Sequence, residues 1–320
     1  MDVIALLYAD AHNHSYKQFN VDEARTHKNT KLQAKIYKRA KKLKVPVLFA
    51  GDLFHNPKHL TNELLNIYLP ALFKWHEKSH TYAISGNHDQ SRQNIPGSPS
   101  PSYITLLDKI IPNFHCIDSR SIDLGPFVLH GIPYMTMNIG FMETMASFKL
   151  SKKKPNVLMV HTDLHGARDT NMREVKTVSI IPDNMAAVFK DFDLVISGHI
   201  HLHQELVPKQ VLMLGAPMQQ RKTDKGTDMG YWELYKDLSY KFVPLEGPEF
   251  IELEPDEKAP DDYHFYYSKP KPRTKLKIAR NKGTKLKDNT RKLVKEYAKA
   301  EGIEDKDKIT RLTKTLKEAR

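Results

Sequence analysis

The chain has 320 residues, 40% of them hydrophobic and 28% charged, with one cysteine and a formal net charge of +12. That length supports a full hydrophobic core. The lone Cys116 excludes an internal disulfide, and no apolar run is long enough to span a membrane. The expected location is therefore the cytoplasm, that of a host cell if the source is viral. The charge is uneven: residues 268–320 hold 19 Lys+Arg against 7 Asp+Glu, whereas residues 1–267 hold 31 of each. An excess gathered in a tail reads as a contact surface for a polyanion or, more blandly, as a solvated extension.

Through the first 200 residues one unit recurs: a short apolar run, then a turn bearing metal-ligand residue types. Residues 3–8 lead to Asp10-Ala11-His12 and, lacking a basic flank, read as a first strand and not a signal peptide. Residues 22–44 read as an amphipathic helix, with Asp22 as candidate N-cap and Leu32, Ile36 and Ala40 along one face. Residues 45–49 lead to Gly51-Asp52. A second helix is expected over 61–78 on Leu64, Leu65, Tyr68, Leu69 and Leu72. Residues 81–84 then lead to Gly86-Asn87-His88-Asp89, and the Ser/Pro-rich 96–101 is a loop. Residues 157–160 lead to His161, and residues 194–196 to Gly198-His199-Ile200-His201. Beyond residue 205 the β-patterned runs 210–214, 231–235 and 240–243 are expected to add strands to a second sheet. The acidic, Pro-containing 254–262 reads as a linker. Apolar positions at 293, 294, 297, 309, 312 and 316, broken at Gly302, read as a helix pair.

In layered α/β proteins ligands sit beyond the carboxyl ends of such strands. Five strand ends at one rim would gather hard oxygens and imidazoles suited to two Mn- or Zn-like ions. Such an ion pair clamps a phosphoester and activates water. Asp52, with two carboxylate oxygens, is assigned the bridge. One ion takes Asp10, His12 and His201; the other takes Asn87, His161 and His199. His165 rivals His161, which is preferred because it directly ends an apolar run. His88 is kept free of metal, to stabilise charge on the phosphorane or protonate the leaving oxygen. Asp89 is expected to orient the His88 ring and raise its pKa, and His55 to contact a phosphate. The remaining histidines, His14 and His76 among them, are read as non-ligands. A lone D-x-H or H-x-H pair is weak; all five segments in order, each after a strand, are not.

These residues, from Asp10-Ala11-His12 to Gly198-His199-Ile200-His201, resemble the calcineurin-like metallophosphoesterase superfamily. With Gly51-Asp52-Leu53-Phe54-His55, Gly131-Ile132-Pro133-Tyr134 and Gly215-Ala216-Pro217, the chain looks like the SbcD/Mre-type DNA repair nucleases and their phage relatives. His55 and Asp89 stand where the superfamily's protein phosphatases carry Arg and Glu, which disfavours that activity. The resemblance implies an α/β fold, a four-layer αββα sandwich over residues 1–250. A linker or reduced cap is expected at 251–268 and a basic helical tail at 269–320. It implies two divalent ions, manganese first, with magnesium or zinc as alternatives. It further implies 3′→5′ exonuclease and structure-specific endonuclease activity on DNA. The implied partners are an SbcC/Rad-type coiled-coil ATPase and a second copy docked through helices at 22–44 and 61–78. Two readings compete: a small-molecule phosphodiesterase or nucleotidase, and an inactive DNA-end-binding adaptor.

Overall fold

Each early strand carries two interleaved apolar sets, and that double pattern dictates the layering. The computed structural model describes residues 2–16, 23–91, 100–136, 138–175, 185–254, 257–258 and 264–268, all in one compact unit. Asp22, residues 92–99, most of the expected linker and the basic tail lie outside the described residues. The first half runs β1 (Val3–Tyr8), α1 (Ala24–Leu43), β2 (Val47–Phe49), α2 (Asn62–His76), β3 (Thr81–Ala83), α3 (Tyr103–Ile110) and β4 (Phe114–Cys116). Next come β5 (Arg120–Asp123), β6 (Val128–Ile132), α4 (Asn138–Ser147), β7 (Asn156–His161), α5 (Met185–Val188), β8 (Leu194–Gly198), β9 (Gln204–Val207) and β10 (Val211–Met213). The described residues close with β11 (Gly230–Tyr235), β12 (Tyr240–Pro244), β13 (Phe250–Leu253) and β14 (Phe265–Ser268).

Two six-stranded sheets result, ordered β12-β11-β1-β2-β3-β4 and β5-β6-β7-β8-β10-β9, with β13 and β14 as a separate parallel pair. In each large sheet four strands run parallel: β1 to β4 in one, and β6, β7, β8 and β10 in the other. The period of two along β1 sends Leu6 and Tyr8 toward the helices and Ala5 and Leu7 toward the opposite sheet. Three cores follow from this alternation. Ile36 and Ala40 of α1 and Leu64, Tyr68 and Leu72 of α2 pack on the outer face of the first sheet. Leu48, Leu129, Val157, Met159 and Ile196 fill the space between the sheets. Phe141 of α4, Met185 of α5 and Phe189 cover the outer face of the second sheet against Leu158, Val160 and Val195. The fold is thus a four-layer αββα sandwich. Each fully buried Leu or Ile contributes about 2 kcal/mol by leaving water.

One expectation fails here. Of the three β runs after residue 205, only β10 lies in the second sheet. β11 and β12 return to the first, where β11 pairs antiparallel with β1. The reason is that Tyr231 faces the helix-side core while Trp232 and Leu234 face the space between the sheets. Such a strand is buried on both faces, and β1 offers it an open edge. Thr61 caps α2 by accepting a hydrogen bond from the Leu64 N–H at 3.3 Å. The cap residue of α1 is Glu23, in a left-handed conformation and without a side-chain cap bond. Among the described residues no helix is long and apolar enough to cross a membrane.

Candidate metal centre

Five parallel strands end at one rim: β1, β2 and β3 of the first sheet, β7 and β8 of the second. Each gives way to a turn that leaves the extended conformation. Asp10 (φ 55°), His12 (φ 44°), Asp52 (φ 61°) and His199 (φ 89°) are all left-handed, at a cost of roughly 1–3 kcal/mol apiece for non-glycine residues. Backbone bonds between turns hold that strain. The Asp10 N–H donates to Gly51 O at 3.0 Å and the His12 N–H to Asp52 O at 2.9 Å. The His199 N–H donates to the Asp10 carboxylate at 3.0 Å, tying the two sheets together. Glycine is required where the turns touch. A Cβ on Gly51, itself at φ 90°, would fall 2.5 Å from His161 Nδ1.

The projecting side chains form two adjoining groups that contain a carboxylate, and a third, all-imidazole group of His12, His55 and His88 shares His12 with the first. In one, ligand atoms of Asp10, His12 and His201 lie within 4.8 Å of each other; in the second, those of Asp52, His161 and His199 do. His12 Nε2 is 3.1 Å from His201 Nε2, and His161 Nε2 is 3.3 Å from His199 Nδ1. Asn87 joins the second group, its Oδ1 3.1 Å from His161 Nε2 and 3.0 Å from His199 Nδ1. Asp52 faces both: Oδ2 lies 3.6 Å from His12 Nε2 and 3.3 Å from His161 Nε2. Its other oxygen accepts the His88 N–H at 2.8 Å. His161, and not His165, lies in this cluster.

The electrostatics report a cavity that calls for positive charge. Burial raises the Asp10 carboxyl above its usual range. Burial would raise Asp52 too, but His161 and then His12 outweigh it and hold the carboxyl well below that range. Burial alone would lower His161, yet Asp52 and Asp10 hold it up to about 9. His12 is pushed well down by burial. Outer partners fix how three of the rings point. His161 Nδ1–H donates to Ala50 O at 2.6 Å, His199 Nε2 meets Asp163 Oδ1 at 3.0 Å, and His201 Nδ1 lies 3.6 Å from Asp224 Oδ2. Each ring therefore turns its other nitrogen into the cavity, as metal-binding imidazoles do.

Residues 6–203 match the family model described as calcineurin-like phosphoesterase. The chain belongs to that family. No curated protein matches it. Among solved structures, "GAP50 the anchor in the inner membrane complex of Plasmodium" aligns over 77% of this chain and 85% of its own, at 13% identity and a TM-score of 0.44.

Members of the family use divalent metals, and the donor set fits them. Two buried carboxylates, an amide oxygen and four imidazoles combine hard and borderline ligands. Their lone pairs crowd together unless cations separate them. Beside the two groups stand His55 and His88, stacked with ring centroids 5.0 Å apart and planes 20° apart. His88 Nδ1 lies 2.6 Å from His55 O. A carbonyl only accepts, so Nδ1 carries the hydrogen and Nε2 is left for other chemistry. His55 Nδ1 is 3.4 Å from His12 Nδ1, and burial followed by the nearby His88 lowers its pKa.

Asp89 departs from expectation. Its carboxylate does not face the His88 ring; it turns inward, 1% exposed. There it accepts the N–H groups of Asp52 (2.8 Å), Leu53 (2.9 Å), Phe54 (3.2 Å) and Gly86 (2.9 Å). Four inward-pointing amides outcompete one half-buried imidazole, so Asp89 braces the Asp52 turn while the His55 carbonyl orients His88. Burial and then Asp52 push the Asp89 carboxyl up to about 7, against the pull of these amides. The residue reading missed Asp163, Asp224 and Ala50 as ring partners. Asp163, two positions after His161, left a faint signal; Asp224 left none. His14 is in none of the ligand groups, and its ring stacks on His55 at 4.4 Å.

Proposed function

We propose that this phosphoesterase hydrolyses phosphodiesters at DNA ends, as the nuclease subunit of an SbcD/Mre-type complex. The observation that carries the phosphodiesterase part is the placement of one carboxylate oxygen, Asp52 Oδ2, between His12 Nε2 at 3.6 Å and His161 Nε2 at 3.3 Å. That position suits a ligand shared by two ions. Asp10, His12, His201 and Asp52 would hold one cation, and Asp52, Asn87, His161 and His199 the other. Two such cations, manganese by preference, supply Lewis-acid charge and an activated water. The chain's own residues do the rest. His88, with Nδ1–H held by the His55 carbonyl, would act as an imidazolium, its Nε2–H stabilising charge on the phosphorane or passing its proton to the leaving oxygen. His55, held neutral by its surroundings, donates a hydrogen bond to a phosphate oxygen.

The choice of DNA is supported by the sequence features shared with SbcD/Mre-type nucleases and by the charge of residues 268–320. That tail is proposed to contact a coiled-coil ATPase partner or DNA phosphates. A second copy is proposed to dock through the α1 and α2 region. The test is end-labelled single- and double-stranded DNA with manganese, magnesium or chelator. Manganese-dependent release from 3′ ends is expected, and Asp52→Ala should lose bound metal and cleavage together. Hydrolysis of bis-p-nitrophenyl phosphate with no cleavage of DNA would transfer the assignment to a small-molecule phosphodiesterase. DNA binding with no turnover in manganese would point to an inactive adaptor.

A further inference from the structure

Outside the metal-ligand groups, three neighbouring strands of the second sheet line up Ser121 of β5, His130 of β6 and Asn156 of β7. Ser121 Oγ lies 2.7 Å from His130 Nδ1, and His130 Nε2 lies 3.2 Å from Asn156 Oδ1. The hydrogens of this row are fixed by its surroundings. The Ser151 N–H donates to Asn156 Oδ1 at 2.8 Å, and Asn156 Nδ2 donates to Ser151 O at 3.0 Å. The atom facing His130 is therefore an acceptor oxygen, and His130 Nε2 carries its hydrogen. Buried against Phe148 and Phe192, the ring has its pKa lowered in spite of the Asn156 bond and stays neutral. Nδ1 keeps a lone pair, which accepts the Ser121 hydroxyl hydrogen.

Hydroxyl, base and orienting amide stand in the order that an activated nucleophile needs, with the two ring nitrogens exchanged relative to the common serine triad. The ladder explains the close contact. The Leu124 N–H donates to Phe127 O at 3.0 Å, and counting back along the antiparallel pair puts Ser121 opposite His130 at a non-hydrogen-bonded position. Facing side chains approach most closely at such positions. The same register points the Ser121 N–H away from β6, and β5 is the outermost strand of its sheet among the described residues. The nucleophile is thus exposed while its base is buried. An outward amide beside the hydroxyl suits the single oxygen charge of an acyl-transfer intermediate.

We propose that Ser121 is the nucleophile of a second, metal-independent site that hydrolyses activated carboxylic esters, with His130 as its base and Asn156 positioning that base. As Ser121 Oγ bonds to the ester carbonyl carbon, its proton passes to His130 Nδ1 and the carbonyl electrons move onto oxygen beside the Ser121 N–H. The ester C–O bond then breaks, and the leaving oxygen takes the proton from His130. Water attacks the acyl-serine in the same way, giving a proton to His130 that returns to Ser121 Oγ as the acid departs. The test uses the intact chain in excess chelator, which silences metal-dependent hydrolysis. A biotinylated fluorophosphonate should label Ser121, as located by peptide mass spectrometry, and p-nitrophenyl acetate should be turned over. Ser121→Ala and His130→Gln should each lower that turnover by about a hundredfold, with circular dichroism confirming the fold. Asn156→Leu should lose the label and Asn156→Asp, which keeps the acceptor oxygens, should retain it. An unlabelled Ser121, or turnover that survives in Ser121→Ala, overturns the proposal. So does equal labelling of Ser121 in a folded His130→Gln.

Discussion

Gly86 offers the sharpest probe of how the Asp52 turn is held. Its φ lies outside the left-handed region, so an alanine there adds a methyl group without the strain of a positive φ. That methyl would lie 2.1 Å from Asp52 Oδ1 and 2.5 Å from Asp52 N, where an unstrained contact needs roughly 3.5 Å. Rotating the Asp52 side chain relieves the first clash but not the second. The Asp52 N–H is bonded to Asp89 at 2.8 Å, so the turn and its brace must move together by about an ångström. Overpacking of that kind costs about 2 kcal/mol, or about 5 °C in melting temperature for a domain of this size. The larger effect falls on chemistry, because misplacing a catalytic group by about an ångström lowers rates on the order of a hundredfold. Manganese titration calorimetry and hydrolysis of bis-p-nitrophenyl phosphate, with a thermal melt as fold control, read all three quantities. A folded Gly86→Ala that binds manganese and turns over like the parent would refute the claim that this close approach sets Asp52.

His76 makes a pH prediction far from the metal site. It is buried with Nδ1–H donating to Leu72 O and Nε2 accepting from Thr81 Oγ1, both at 2.8 Å, and burial lowers its pKa to about 4. The folded state thus refuses a proton that the unfolded state takes up from about pH 6.5 downward. Stability should fall between those values, by about 3 kcal/mol at pH 4, and His76→Phe should remove that part of the slope in urea titrations. An unchanged slope in the variant would count against the assignment. His88→Asn should retain manganese yet lose about 10²- to 10⁴-fold in turnover; loss of metal along with activity would make His88 a ligand instead. Asp163→Asn and Asp224→Asn should each weaken manganese binding by roughly 10- to 100-fold through His199 and His201, and wild-type affinity would deny them that role.

Much of the fold was legible because its strands are buried on both faces and each ends in a polar turn. Residues 3–8 show this: the period of two placed Leu6 and Leu7 in different cores, and the strand had to stop where Asp10 began. Helices α1 and α2 were legible from apolar spacing. The final strands were not, because β11 and β10 look alike as apolar runs, and only the open edge of β1 decided which sheet received Tyr231 to Tyr235. Local pattern carries the type of an element but not its neighbour.

The same division runs through the site. Sequence alone determined which residues could serve as ligands, since carboxylate, amide and imidazole donors recur in order at strand ends. Tertiary structure decided how they face one another: that Asp52 lies between two histidines, that Asp89 braces a turn and leaves His88 alone, and that Asp163 and Asp224 back the rings of His199 and His201. Donor identity is a property of single side chains. Orientation and outer partners depend on bonds between segments as far apart as Asp10 and His199, which no local pattern records.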